Sequence, residues 1–95
     1  MRLELSRRAK ADLDDIRDYS LQRFGQARAI LYVDAIEHAL RRIVRFPESG
    51  TPRSDLTSDV RSMPVGRHRL YYRVNAESIL IVRILHQAME IERHL

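Results

Sequence analysis

No cysteine occurs in this 95-residue chain, which excludes a disulfide framework and a cysteine-ligated zinc site. Lysine is nearly missing as well: of 17 basic residues, only Lys10 is not an arginine. Hydrophobic runs are short. The longest aliphatic one, Ile79-Leu80-Ile81-Val82, falls far below the roughly 20 apolar residues that cross a bilayer as a helix. The opening Met1-Arg2-Leu3-Glu4-Leu5 carries no apolar signal core, so a cytosolic protein with no membrane partner is the expectation. Glycine and proline number three each, few enough to act as punctuation between longer patterned stretches.

What is present suits one small folded domain spanning residues 1–95, with 44% hydrophobic and 32% charged residues. A chain of this size buries only roughly 60–65% of the surface its unfolded form exposes, so partner binding is expected to add to a thin stability margin. The net charge of +4 and a pI near 10.1 favour phosphate-rich polymers or acidic protein segments. Arginine suits bidentate recognition of either, although GC-rich coding produces the same excess.

Arg2 to Leu5 alternates as a short half-buried strand does. Ser6 is placed to cap a helix whose apolar face is Ala9, Leu13, Ile16, Ser20 and Phe24, and Gly25 ends it. A second helix follows at once through Ala29, Val33, Ile36, Leu40 and Ile43, so the two form a hairpin. Pro47 and Gly50 stop it, and Glu48 to Asp59 reads as a polar loop. From Val60 the period falls to two, with Arg61, Met63 and Val65 on one side, Pro64 at an edge and a turn at Gly66. The next strand separates Leu70, Tyr72 and Val74 from Arg67, Arg69, Tyr71 and Arg73. Ile79 to His86 is apolar on both faces, as a central strand is, apart from Arg83. In the tail, Met89, Ile91 and Leu95 are spaced for a short closing helix.

Several groups invite a chemical reading. Arg67, Arg69 and Arg73 share a strand face, which Arg61 and Arg83 join if the register permits, and such a set could grip phosphates. A plain nucleic-acid-binding module would need nothing more. The same set also fits a solvated face whose arginines pair with acidic loop residues. Arg83 resists that view, because a charge inside a central strand must meet a carboxylate or line a surface that something else covers. His86 and His68 end neighbouring strands and are candidate proton carriers or simple hydrogen-bonding residues. His38 falls on the polar side of the second helix. Asp12, Asp14, Asp15 and Asp18 suit a helix dipole better than a cation, with Arg17 placed to screen Asp14. Tyr19 and Tyr32 are expected to pack across the hairpin. No histidine pair has zinc spacing, and neither metal nor cofactor is expected.

Taken in order, Ala9, Asp12-Leu13, Ile16, Tyr19, Gly25, Ala29, Tyr32, Pro47, Gly50, Arg61, Tyr72 and the ending Val82-Arg83-Ile84-Leu85-His86-Gln87-Ala88-Met89-Glu90 resemble the ParE-type toxins of the RelE/ParE superfamily. The resemblance covers nearly the whole chain. It implies an α+β fold of order β-α-α-β-β-β, in which a helical hairpin packs on one face of a mainly antiparallel, twisted sheet, with a short C-terminal segment and the opposite face partly open. It also implies the toxin of a type II toxin–antitoxin system, of the kind linked to plasmid stabilisation. The partner implied is an antitoxin, ParD-like and ribbon-helix-helix in many cases, that folds on contact and builds a hetero-oligomer.

ParE-type members are understood to inhibit DNA gyrase without a chemical step, whereas RelE-type members cut messenger RNA on the ribosome. For the second activity the candidate catalytic residues are Arg61, Arg83 and His86, with Arg67, Arg69, Arg73 and Arg83 as target- or phosphate-binding candidates. The C-terminal tyrosine and basic patch typical of RelE-like nucleases are missing, and Glu90 and Glu92 would repel a phosphate backbone. Gyrase is therefore the favoured target.

Overall fold

The computed structural model describes residues 1–56, 59–89 and 91–93. Strand β1 (Arg2–Leu5) leads into helix α1 (Arg7–Phe24), and Ser6 caps that helix as its spacing predicts: the Ala9 amide donates to Ser6 Oγ at 3.0 Å. Gly25 separates α1 from α2 (Gln26–Arg45) with a φ of +85°, a region that side-chain-bearing residues avoid. The strands that follow are β2 (Thr51–Pro52), β3 (Val60–Val65), β4 (His68–Val74) and β5 (Ser78–His86), and a single 3₁₀ turn covers Ile91–Arg93. Strand β2 lies inside the stretch expected to be an irregular loop. It is too short to show a period, and only its pairing with Arg61 and Ser62 defines it.

The five strands stand in the order β1-β5-β4-β3-β2, so the last strand in the chain is an interior one flanked on both sides, as its two apolar faces predict. All pairs are antiparallel except β1 with β5, where Arg2 to Leu5 run alongside Ser78 to Ile81. The β3–β4 hairpin closes through Gly66 and Arg67. Gly66 has a φ of +56°, the positive value that two-residue hairpin turns need at their first central position. Pro64 is tolerated because the pairing with β2 reaches only as far as Ser62, leaving the outer edge beside Pro64 unpaired by it.

The helical hairpin covers one face. Ala29, Val33, Ile36, Leu40 and Ile43 of α2 are all buried, as their spacing predicts. The core joins Ile16, Ile36 and Leu40 to Leu70, Tyr72, Ile79 and Ile81. On α1 the expected stripe is interrupted at its end: Ala9, Ile16 and Ser20 are buried, but Phe24 is exposed and borders an open groove. The opposite face of the sheet is partly covered. Val60, Tyr71 and Leu85 form a second, smaller core under Leu56 and Ile91, so the tail does close on the sheet through Ile91. Leu95, assigned to that closing segment, lies outside the described residues.

Tyr72 ties the end of α2 to the sheet. Its hydroxyl donates to the Pro47 carbonyl and accepts from the Gly50 amide, both at 2.8 Å. Gly50 is required here because a Cβ would stand 2.7 Å from Tyr72 Cε1. Arg61 adds to the same tie, donating to the carbonyls of Gly50 at 2.9 Å and Glu48 at 3.2 Å.

Candidate functional site

Strand β1 covers β5 only as far as Ile81, so the outer edge of β5 beyond it needs other partners. Helix α1 provides them. Ser6 Oγ donates to the Val82 carbonyl at 2.7 Å, and the Ile84 amide donates to Asp12 Oδ2 at 2.9 Å. At the same level β5 carries a bulge: Tyr71 pairs with Arg83 and Tyr72 with Ile81, which leaves Val82 as the extra residue. The Arg83 guanidinium closes on Asp12 through two parallel bonds of 2.8 Å. Both side chains are only 13% exposed, and the carboxylate beside it pushes the Arg83 guanidinium further above its ordinary pKa.

That clamp revises the reading of the acidic group on α1. No acidic residue stands in the helix's first turn, so Asp12 does not act on the dipole but neutralises a strand arginine. Asp14 behaves as expected and is bridged by Arg17 at 3.0 Å.

Next to the clamp, the ends of α1 and α2, the β3–β4 turn and the end of β5 enclose a groove of about 1000 Å³. Its walls are apolar and open to solvent, notably Tyr19, Phe24, Leu31 and Met89. Leu31 is 69% exposed and Tyr19 61%, which is large for side chains of this type. Tyr19 stacks edge-on against Phe24 and does not bridge the hairpin as expected. Tyr32 packs against the core that both helices share. Its hydroxyl reaches the β3–β4 turn, accepting from the Arg67 amide at 3.0 Å and lying 2.6 Å from His68 Nδ1 and 3.2 Å from the Val65 carbonyl. A Cβ on Gly66 would meet the Tyr32 ring at 2.6 Å, so the turn glycine also permits this approach.

His68 and His86 are register partners, and their rings meet edge to face with centroids 5.4 Å apart. The strand-end proximity expected of them is therefore present. Burial pushes the His68 imidazole below the ordinary histidine pKa; His86 pushes the same way and Asp12 opposes. His86 Nδ1 accepts from the Ala88 amide at 3.1 Å. His38 is exposed on α2.

The candidate arginines do not all converge: Arg67 and Arg83 line the groove, whereas Arg61, Arg69 and Arg73 do not. Arg61 holds the loop after α2, and Arg83 holds Asp12. On the far face Arg69 donates to Ser62 Oγ at 3.2 Å, and Arg73 Nε stands 3.7 Å from Asp59. Arg53, unremarked in the sequence pattern, lies over the Tyr71 ring and makes a paired contact with Asp55, whose carboxyl it holds below the usual range. The Arg67 side chain is exposed at the groove. Glu90 and the side chain of Glu92, invoked above against a phosphate backbone, lie outside the described residues.

The clamp had a signal in the sequence, since Arg83 had to meet a carboxylate or line a covered surface, and it is the first of these that the structure shows. The groove left only a faint one, in Leu31 and Tyr32 standing off the buried stripe of α2.

Comparison with known proteins agrees with this architecture. Residues 3–91 match the model of the family described as ParE toxin of type II toxin-antitoxin system, parDE. Toxin ParE1 of Caulobacter vibrioides is 42% identical over 91 residues, covering 96% of this chain and 94% of that protein. Toxin ParE1 of Mycobacterium tuberculosis is 35% identical over 92 residues, with the same coverages. Among solved structures, the chromosomal ParDE toxin–antitoxin system of P. aeruginosa superposes with a TM-score of 0.78 at 27% identity, covering 90% of this chain and 95% of the matched chain. The toxin–antitoxin complex RelBE2 of M. tuberculosis shares the fold, with a TM-score of 0.65 at 22% identity over 90% of this chain and 96% of that one. A family match over nearly the whole chain, relatives well above 30% identity and the shared hairpin-on-sheet architecture together place this chain in the ParE toxin family of type II toxin–antitoxin systems.

Proposed function

We propose that this toxin acts by inhibiting DNA gyrase in the cytoplasm, without a chemical step of its own, and is neutralised by a ParD-like antitoxin that seats an apolar segment in the groove between the hairpin and the strand ends. The observation that carries the first part is the dispersal of the candidate nuclease residues. Cleavage of RNA by its own 2′-hydroxyl needs cations and proton carriers gathered around one phosphate. Arg83 is instead locked to Asp12 beside α1, Arg61 is bound to backbone carbonyls after α2, and His86 accepts from Ala88. The second part is supported by the exposed apolar walls, which a small domain with a thin stability margin has reason to cover.

A supercoiling and cleavage assay with purified toxin tests the target. Loss of supercoiling or accumulation of cleaved DNA is expected, and an unaffected gyrase at several-fold molar excess of toxin would refute the reading. If messenger RNA ends mapped after induction showed discrete new cuts, the RelE-type activity would replace it. Co-expression with the neighbouring short open reading frame tests the antitoxin, with a stable co-purifying complex as the expected result.

A further inference from the structure

The imidazoles of His68 and His86 occupy the inner end of the groove and have no role in the reading above. The hydrogen bonds at Nδ1 bear on both tautomers. The Ala88 amide can only donate, so His86 Nδ1 is an acceptor and the ring's proton sits on Nε2. At His68, burial favours the neutral ring, and the Tyr32 hydroxyl is much closer to Nδ1 (2.6 Å) than to the Val65 carbonyl (3.2 Å). With that hydroxyl donating to Nδ1, the proton is again left on Nε2. Two adjacent rings thus each retain one N–H donor, Nε2–H, and none of the hydrogen bonds above uses either.

The charges around them determine what such donors take. From α1, Asp12 is neutralised by Arg83 of β5, leaving Asp15 as the remaining carboxylate and Tyr19 uncharged. From α2 come Arg28 and the neutral Tyr32, and from the β3–β4 turn comes Arg67. The balance is positive, on a chain of net charge +4. We propose that His68 and His86 form a carboxylate-binding subsite that receives an Asp or Glu side chain carried on an apolar segment of a partner protein. The two N–H groups suit the two oxygens of a carboxylate, and partial exclusion of water strengthens such bonds. A nucleic-acid strand fits poorly, because its evenly spaced phosphates would be set against Phe24, Leu31 and Met89. An acidic residue flanked by aliphatic ones matches both walls and floor.

His68 is also able to gain a proton without losing its partner. Once Nδ1 is protonated it donates to the Tyr32 oxygen, and the hydroxyl hydrogen turns to the Val65 carbonyl. Carboxylate binding should therefore draw a proton onto His68. This inference rests on the groove being the antitoxin's seat, yet its test needs neither toxicity nor an antitoxin.

The imidazole Cε1–H signals of the full chain are followed by NMR during titration with isovalerate, an apolar-tailed carboxylate, and with its neutral analogue isovaleramide. His68→Gln and His86→Gln variants assign the pair among the four histidines. With isovalerate alone, the His68 and His86 signals should move while that of His38 stays put, and the apparent pKa of His68 should rise by about 1. Absence of any shift, equal shifts with isovaleramide, or equal shifts with inorganic phosphate would each overturn the assignment. A positive titration beside harmless expression would sink the toxin reading alone.

Discussion

Arg83 and Asp12 lie 71 positions apart in the chain, yet they meet through two 2.8 Å bonds and join the central strand to the first helix. The same carboxylate accepts from the Ile84 amide. Asp12 thus repairs the strand edge as well as the charge.

Removing one member of the clamp should cost more than removing both. Asp12→Ala leaves a guanidinium and an amide without their acceptor, and the expected loss is about 3 kcal/mol by urea denaturation. Asp12→Ala combined with Arg83→Met should recover part of it. A double variant less stable than the single one would show that the pair is not an isolated unit.

Gly50→Ala should destabilise by about 1–3 kcal/mol, because the new methyl must displace the buried Tyr72 ring. Tyr72→Phe keeps the ring and removes the hydroxyl that bridges Pro47 and Gly50, with an expected loss of about 1–2 kcal/mol. Thermal melts of the two variants would separate crowding from hydrogen bonding.

Ser6→Ala removes both the N-cap of α1 and the donor to Val82, and about 1–2 kcal/mol should be lost. Ser6→Gly retains neither bond and should not rescue it. Equilibrium unfolding of both variants is the check.

The acid limb of stability should depend on His68. Its folded pKa is lowered, so above the ordinary histidine pKa of 6.5 both folded and unfolded rings are neutral and the full contribution is present. As pH falls below 6.5 the unfolded ring binds a proton first. Stability is then lost until the folded pKa is reached. His68→Gln should flatten this part of a stability-against-pH curve, and an unchanged slope would assign the effect to another group.

Leu31→Asp should leave the unfolding free energy nearly unchanged, within about 0.5 kcal/mol, because Leu31 is largely exposed. Antitoxin binding should weaken by at least about tenfold if Leu31 anchors the partner. Equal affinity of variant and parent would move the interface off the groove.

Most of the scaffold could be read from periodicity. The two helices, the cap at Ser6 and the buried stripe of α2 follow from residue spacing alone, since spacing decides which side chains share a face. Phe24 kept the same spacing but borders the open groove, and spacing cannot report what covers a face. Arg83 was recognisable as a charge in need of a partner. Its partner was hidden, because Asp12 becomes a neighbour only when α1 folds back over β5. The arginine set failed to gather for a related reason. Strand parity places Arg69 and Arg73 on one face, but it does not register that Ser62 and Asp59 wait there, or that a bulge at Val82 shifts the pairing beside Arg83. The tyrosine hydroxyls were invisible too, since their bonds run to backbone atoms of other elements.

The parallel pairing of β1 with β5 bears on when the molecule can exist at all. Ser6 and its acceptor Val82 are 76 residues apart, and the strand that receives β1 is the last one synthesised. A contact of that range closes a loop containing nearly every other element, and such contacts form late and slowly. A nascent chain has its hairpin early but lacks the central strand on which both sheet halves depend. Assembly therefore waits until β5 has been made, so an antitoxin already present can meet this fold as it forms.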